Sequence, residues 1–235
     1  MNSEASRIYH DGTYLRSNPT WHHEDAPYKA RDILNLLDKH KLRPATVCEV
    51  GCGSGAILER LSEKLAVSTR FVGYEISEQA LALCRPREKE NLYFVLGSLP
   101  STEQRFDLAL AIDVVEHVED YLGFLERLLP AARHKIFRIP LNLSVQSVVF
   151  KSQPILRARE AYGHLHYFTK ETALATLESA GYHIIDSFHS FSPISAKTLG
   201  PGRTLLKALK TACFSLHREW VARLLDGFSL MVLAQ

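Results

Sequence analysis

Val47-Cys48-Glu49-Val50-Gly51-Cys52-Gly53-Ser54-Gly55 decides the fold: an apolar run of strand length enters a glycine-rich turn, and residues 56–65 continue in a helical pattern. A strand that ends on such a turn and feeds a helix is the opening of a parallel βαβ unit. Glycines let the turn bend tightly and let a ligand lie against bare backbone at the start of the helix, where unpaired amides favour negative charge. The same letters satisfy the dinucleotide spacing, since Gly51, Gly53 and Ala56 fit G-x-G-x-x-A, so the residues around the turn have to discriminate.

Outward from this turn, short apolar runs recur at 70–75, 92–96, 106–112 and 135–139, with helical patterns at 78–84 and 118–129 between them. Residues 170–180 read as a helix stopped by Gly181, 182–188 as a strand, and 227–234 as a closing strand. This alternation predicts an α/β fold, a Rossmann-like three-layer sandwich around a mostly parallel sheet. Asp25 reads as the cap of a helix with Ala30, Ile33, Leu34 and Leu37 on its apolar face, and the stretch before it as an irregular arm rather than a strand or helix. The whole chain is expected to be one domain: arm and helix over 1–44, a cofactor-binding core over 45–188, and a variable helical segment with the closing strand over 189–235.

Composition bounds the partners. With 235 residues, 46% hydrophobic and 23% charged, the chain suits one large globular domain. Its formal net charge of +2 is too small and too evenly spread to predict a nucleic-acid partner. The N-terminus lacks the apolar core of a signal peptide and no apolar stretch is long enough to span a bilayer, which predicts a cytoplasmic protein. Cys48, Cys52, Cys84 and Cys213 show no CxxC pairing and read as reduced, mostly buried thiols. A basic amphipathic helix over 204–225, with Lys207, Lys210, Arg218 and Arg223, can lie on a membrane surface, although a solvated face over a core-facing stripe is the commoner use of such a pattern. No feature of the sequence specifies an oligomeric state.

Glu49 supplies the first discrimination at the glycine turn. A carboxylate there opposes a dinucleotide's pyrophosphate but suits the ammonium of a methionine moiety, and S-adenosylmethionine carries no phosphate. Glu75 ends the next strand about 20 residues on, the place from which a carboxylate accepts both ribose hydroxyls. Replacing it by alanine is expected to weaken cofactor binding while leaving the fold intact. Gly97-Ser98-Leu99 follows the third strand, where an adenine edge would lie; an acidic residue is frequent there in such proteins, and Ser98 departs from that.

With these segments, Asp113-Val114-Val115-Glu116-His117-Val118, Gly163-His164-Leu165-His166-Tyr167-Phe168-Thr169 and Leu177-Glu178-Ser179-Ala180-Gly181-Tyr182 make the chain resemble the class I S-adenosylmethionine-dependent methyltransferase superfamily. The small-molecule enzymes similar to ubiquinone-biosynthesis O-methyltransferases are the nearest type, and the likeness covers 45–182 plus the closing strand. It implies a seven-stranded sheet with the last strand antiparallel. It also implies S-adenosylmethionine as cofactor, S-adenosylhomocysteine as product, and O- or N-methylation of a small-molecule acceptor. By motif match, Gly51, Cys52, Gly53 and Gly55 would contact the methionine portion, Glu75 and Ile76 the ribose, and Asp113, Val114, Val115 and His117 the methionine and methyl end. Acceptor specificity would reside in the arm before Asp25 and in 141–163 and 189–203.

Three histidines are candidates for catalysis. His117 follows the fourth strand's end, and His164 and His166, two apart on an extended segment, share a face; packing and capping the following helix is the other reading of His117, and structural hydrogen bonding the commoner one for His164 and His166. Tyr9, Tyr14 and Trp21 read equally as an aromatic flap over the cofactor or as an arm stapled to the domain surface. His22, His23, Glu24 and Asp25 carry ligand-type side chains, but consecutive residues rarely face one ion, so no metal is expected. Two other functions fit part of the pattern. An NAD-dependent oxidoreductase would use Gly51, Gly53, Ala56 and Glu75, against which stand Glu49 and the lack of a Tyr-x-x-x-Lys pair; a non-catalytic scaffold would keep the fold without turnover, against which stand the intact glycines, Glu75 and His117.

Overall fold

The computed structural model describes residues 7–99, 105–149, 153–191 and 217–235. Seven strands, β1 (Thr46–Val50), β2 (Arg70–Glu75), β3 (Leu92–Leu96), β4 (Phe106–Ile112), β5 (Ala132–Pro140), β6 (Ile184–Ser190) and β7 (Ser229–Ala234), form one sheet in the order β3-β2-β1-β4-β5-β7-β6. Strands β1 to β5 pair in parallel, and β7 runs antiparallel between β5 and β6. Alternate residues of the central strands bury opposite faces. Val47, Phe71, Leu108, Leu110 and Ile136 pack into one apolar layer, and Cys48, Val72, Ala109, Ala111 and Phe137 into the other. A sheet apolar on both faces has to be covered on both, which makes three layers of these residues.

One cover is the helix Ala26–Lys39 with Ala56–Ser62, contributing Ile33, Leu36, Leu37, Leu58 and Leu61. The other includes Tyr121–Leu128 and Lys170–Ser179, contributing Leu125, Leu128, Ala173 and Leu177. Strand order reverses between β1 and β4, and their carboxyl ends, with those of β2 and β5, open one crevice.

The structure departs from the sequence reading in three places. The arm is not irregular throughout: Thr13–Ser17 is a short helix and His23–Asp25 a 3-10 turn, with Tyr14 buried against Trp21 at 4.6 Å between ring centroids. Aromatic burial orders a segment whose periodicity is too short to read. Asp25 stands at the N-cap of the following helix without a side-chain cap bond, in αR backbone. The helix expected from residue 118 starts at Tyr121, because a 3-10 turn at Val115–His117 intervenes and Asp120 caps the helix by accepting from the Gly123 amide.

Cys48, Cys52 and Cys84 are free, buried thiols. Arg218–Leu224 is the helical part of the 204–225 pattern among the described residues; 204–216, Cys213 and the acceptor segment 192–203 lie outside them. No helix of the described residues is long and apolar enough to cross a membrane.

Candidate functional site

A cavity of about 480 Å³ opens at the crevice, lined by the ends of β1, β2, β4 and β5, the arm, and residues around His164. Glu49 faces it from β1, 1% exposed, with Oε2 buried and without a hydrogen-bond partner. Burial pushes its carboxyl up to about 8; Lys29 pulls it down, and Glu75 and Asp113 push it further up. A buried, orphaned acceptor of this kind fits an incoming ammonium. The Trp21 indole Nε1 is a buried donor without a partner in the same cavity. Gly53 is bare, with Trp21 the nearest atom to an added Cβ at 3.8 Å, so a ligand can lie on its backbone.

Glu75 is clamped to this loop. Its Oε2 accepts from the Gly53 amide at 2.8 Å and Oε1 from the Ser77 amide at 2.9 Å. Burial raises its carboxyl, and these amides work against that rise. The expectation that Glu75→Ala would leave the fold intact is therefore corrected, since the change orphans two loop amides. Glu75→Gln keeps one acceptor oxygen and is the cleaner test. It should weaken S-adenosylhomocysteine binding by about 1.5–3 kcal/mol in a calorimetric titration, whereas Glu75→Ala should in addition lower the melting temperature. An unchanged dissociation constant for both variants would remove Glu75 from the site.

Asp113 ends β4 in left-handed backbone, φ +56°, which turns its carboxylate back into the cavity. There it meets Lys29 Nζ at 2.8 Å and is bonded through both oxygens by Arg138. The two cations hold its carboxyl well below the usual range against the opposing effect of burial.

The 3-10 turn after β4 presents Glu116 and His117. The Glu116 side chain is fully buried, both oxygens lack a hydrogen-bond partner, and burial with Asp113 nearby raises its carboxyl. His117 Nδ1 lies 3.2 Å from the Gly163 carbonyl and 2.9 Å from the Tyr9 hydroxyl, which itself donates to the Tyr162 carbonyl at 3.1 Å. A carbonyl only accepts, so Nδ1 carries the ring proton and Nε2 the lone pair. Nε2 lies 3.8 Å from Glu116 Oε1. Burial pushes the imidazole down to about 4, so it is neutral near pH 7. The His164 ring packs edge-on against His117 at 4.9 Å, its Nδ1 is 3.3 Å from Asn142 Oδ1, and burial pushes it down to about 3. Gly163 makes this arrangement possible: its φ is +77°, and an added Cβ would stand 2.6 Å from Ile8 and 3.0 Å from the Tyr9 hydroxyl.

Of the residues singled out in the sequence, Glu49, Gly51, Cys52, Gly53, Glu75, Ile76, Asp113, Val114, His117 and His164 line the cavity, as do Tyr9, Tyr14 and Trp21. Gly55, Gly97, Ser98, Leu99, Val115 and His166 do not. A Cβ on Gly55 would meet Phe94 at 2.5 Å, so that glycine serves helix-to-sheet packing. Val115 is buried in the core, because the 3-10 turn points it inward. Gly97 donates its amide to the Glu75 carbonyl at 2.8 Å but adds no wall to the cavity. His166 bonds the Val118 carbonyl at 2.9 Å and packs on Tyr121, because the segment at 164–166 does not keep both rings on one face. The sequence reading missed Glu116, Lys29, Arg138 and Asn142 as lining residues. Glu116 and Arg138 carried a usable signal, charges at or just beyond the carboxyl ends of apolar strands. Lys29, inside a helix, carried none.

Residues 21–187 match a family described as a methyltransferase domain. A ubiquinone biosynthesis O-methyltransferase of Methylobacterium sp. (strain 4-46) is 24% identical over 216 residues, 85% of this chain and 81% of that protein. Among solved structures, a Haloferax volcanii methyltransferase in complex with the Trm112 methyltransferase activator is similar with a TM-score of 0.67 at 16% identity, over 99% of this chain and 96% of that one. Magnesium protoporphyrin IX methyltransferase of Synechocystis PCC 6803 with bound SAH is similar with a TM-score of 0.59 at 16% identity, over 97% and 90%.

Proposed function

Because the chain belongs to the methyltransferase-domain family, whose class I members use S-adenosylmethionine, we propose that it transfers a methyl group from that cofactor to the oxygen or nitrogen of a small-molecule acceptor. The observation that carries this reading is the pairing of an orphaned buried carboxylate, Glu49, with the bare Gly53 turn and the Glu75 carboxylate in one cavity. Glu49 and the Trp21 indole would hold the methionine ends, and Glu75 the ribose hydroxyls. The cofactor supplies an electrophilic methyl on a sulfonium.

The chain's own residues then have two tasks, to align a nucleophile and to exclude water. His117 Nε2, a lone pair fixed by the hydrogen bonds on Nδ1, accepts a hydrogen bond that orients the acceptor. The arm closes the cavity with Tyr9, Tyr14 and Trp21. Deleting residues 1–24 should depress turnover by at least about tenfold through lost water exclusion, while the melting temperature moves by only a few degrees. Full activity without the arm would remove it from the site.

The reading is tested by incubating the protein with methyl-labelled S-adenosylmethionine and a metabolite panel of phenols, alcohols, carboxylates and amines. Labelled product together with S-adenosylhomocysteine supports it. Turnover of a nicotinamide substrate with no methyl transfer would replace it.

A further inference from the structure

We propose that Glu116, His117 and His164 form a receptor for a protonated amine, so that the acceptor methylated in this cavity is an amine nitrogen. The inference rests on the methyl-transfer reading of the same site and goes beyond it by naming the acceptor class.

The first ground is convergence. A carboxylate oxygen of Glu116 and a ring nitrogen from each histidine lie within 4.8 Å of one another, the one such group of three among the described residues, and all three residues line the cavity. The second is polarity. His117 Nδ1 is committed to the Gly163 carbonyl and Tyr9, so Nε2 offers a lone pair. His164 Nδ1 is committed to Asn142 Oδ1, which leaves its Nε2 in the same state. Both Glu116 oxygens are buried without a partner. Glu116 Oε1 and His117 Nε2 thus stand 3.8 Å apart with a His164 ring nitrogen within 4.8 Å, so acceptors from three residues share one small space, while the ammonium of Lys29 and the guanidinium of Arg138 close on Asp113.

Counting donors decides the ligand. A hydroxyl brings one O–H and leaves at least two acceptors orphaned, each a desolvation cost on burial. A carboxylate or phosphate brings no donor for the two imidazole lone pairs. A primary ammonium brings three N–H donors and the compensating charge. The nearby rings suit the same cation: Tyr9 lies 5.9 Å from His117 and Tyr162 5.9 Å from His164, centroid to centroid.

The proton balance closes within the group. The bound pair holds one proton between the amine and Glu116. With it on Glu116 as a carboxylic acid, the nitrogen lone pair is free to bond the methyl carbon; the carbon–sulfur bond breaks with its electrons kept by sulfur, and the products are a methylated ammonium and a neutral thioether.

The test uses the full chain saturated with S-adenosylhomocysteine and three probes on one scaffold: phenethylammonium, 2-phenylethanol and 3-phenylpropionate. The readouts are ¹⁵N resonances of the histidine rings and calorimetric affinity. The amine should shift both the His117 and His164 rings and bind at least about tenfold more tightly than the alcohol, as charge-assisted hydrogen bonds require. Glu116→Gln should cost the amine at least about tenfold in affinity and leave S-adenosylhomocysteine binding within about twofold. If Glu116→Gln does not fold, His164→Asn carries the same expectation. Equal binding of amine and alcohol, unmoved ring resonances, or an amine affinity indifferent to both variants would overturn the proposal, as would stoichiometric Zn²⁺ or Mn²⁺ surviving dialysis. Failure of the wild-type chain to bind S-adenosylhomocysteine would instead overturn the methyl-transfer reading, and this inference with it.

Discussion

Asp113→Ala is expected to destabilise the protein by about 3–5 kcal/mol, the cost of removing one partner from a buried ion cluster. Lys29 and Arg138 both close on this carboxylate, and without it two largely buried cations would face each other. The loss would take a large share of a stability that for a domain is about 5–15 kcal/mol. A second cost comes from the backbone, because alanine tolerates φ +56° poorly. Asp113→Asn separates the two, since asparagine accepts left-handed backbone but brings no charge. Urea unfolding at neutral pH should rank wild type above Asn and Asn above Ala. The sign in pH follows from the depressed carboxyl of Asp113. Its contribution is present above the ordinary value of about 3.9 and is lost as pH falls below it toward the folded value, so the gap between wild type and Asn should persist from neutrality to about pH 4 and shrink below. Equal stability of all three would mean that the cluster is neutral in net energy.

His117→Ala is expected to lower turnover by about 10²-fold, the scale of a lost orienting contact, while cofactor affinity changes far less. Its Nε2 faces the cavity because Gly163 and Tyr9 hold Nδ1. Tyr9→Phe should reproduce a smaller part of the loss by loosening the ring. Because burial keeps the imidazole down at about 4, the rate should show no inflection from this group between pH 6 and 8. Near-native turnover of the alanine variant would mean that alignment alone drives the reaction.

The parallel sheet was legible because its strands are short apolar runs bounded by turn residues, the central ones buried on both faces. Thr46–Val50, Arg70–Glu75, Leu92–Leu96 and Phe106–Ile112 coincide with the expected runs. Helix limits were harder to read, as at Tyr121, where a local cap and a 3-10 turn decide the start. The glycine-turn end of the cavity was legible because strand ends and glycines are local signals. The end around His117 was not, because its defining contacts join distant residues: Tyr9 to His117 across 108 positions, and His117 to Gly163 across 46. No periodicity encodes such a pair. Nor does any local pattern announce that Asp113 turns left-handed to meet Lys29 and Arg138.

The most direct test of methyl transfer from S-adenosylmethionine is a calorimetric titration of the full chain with S-adenosylhomocysteine, run beside an identical titration with NAD. The unpartnered Glu49 carboxyl at the glycine turn, pushed up to about 8 by burial, is drawn into its charged form by an ammonium and not by a pyrophosphate. The account predicts saturable, equimolar binding of S-adenosylhomocysteine, weakened in Glu49→Ala, and no measurable heat with NAD. Tight NAD binding with no response to S-adenosylhomocysteine would contradict it.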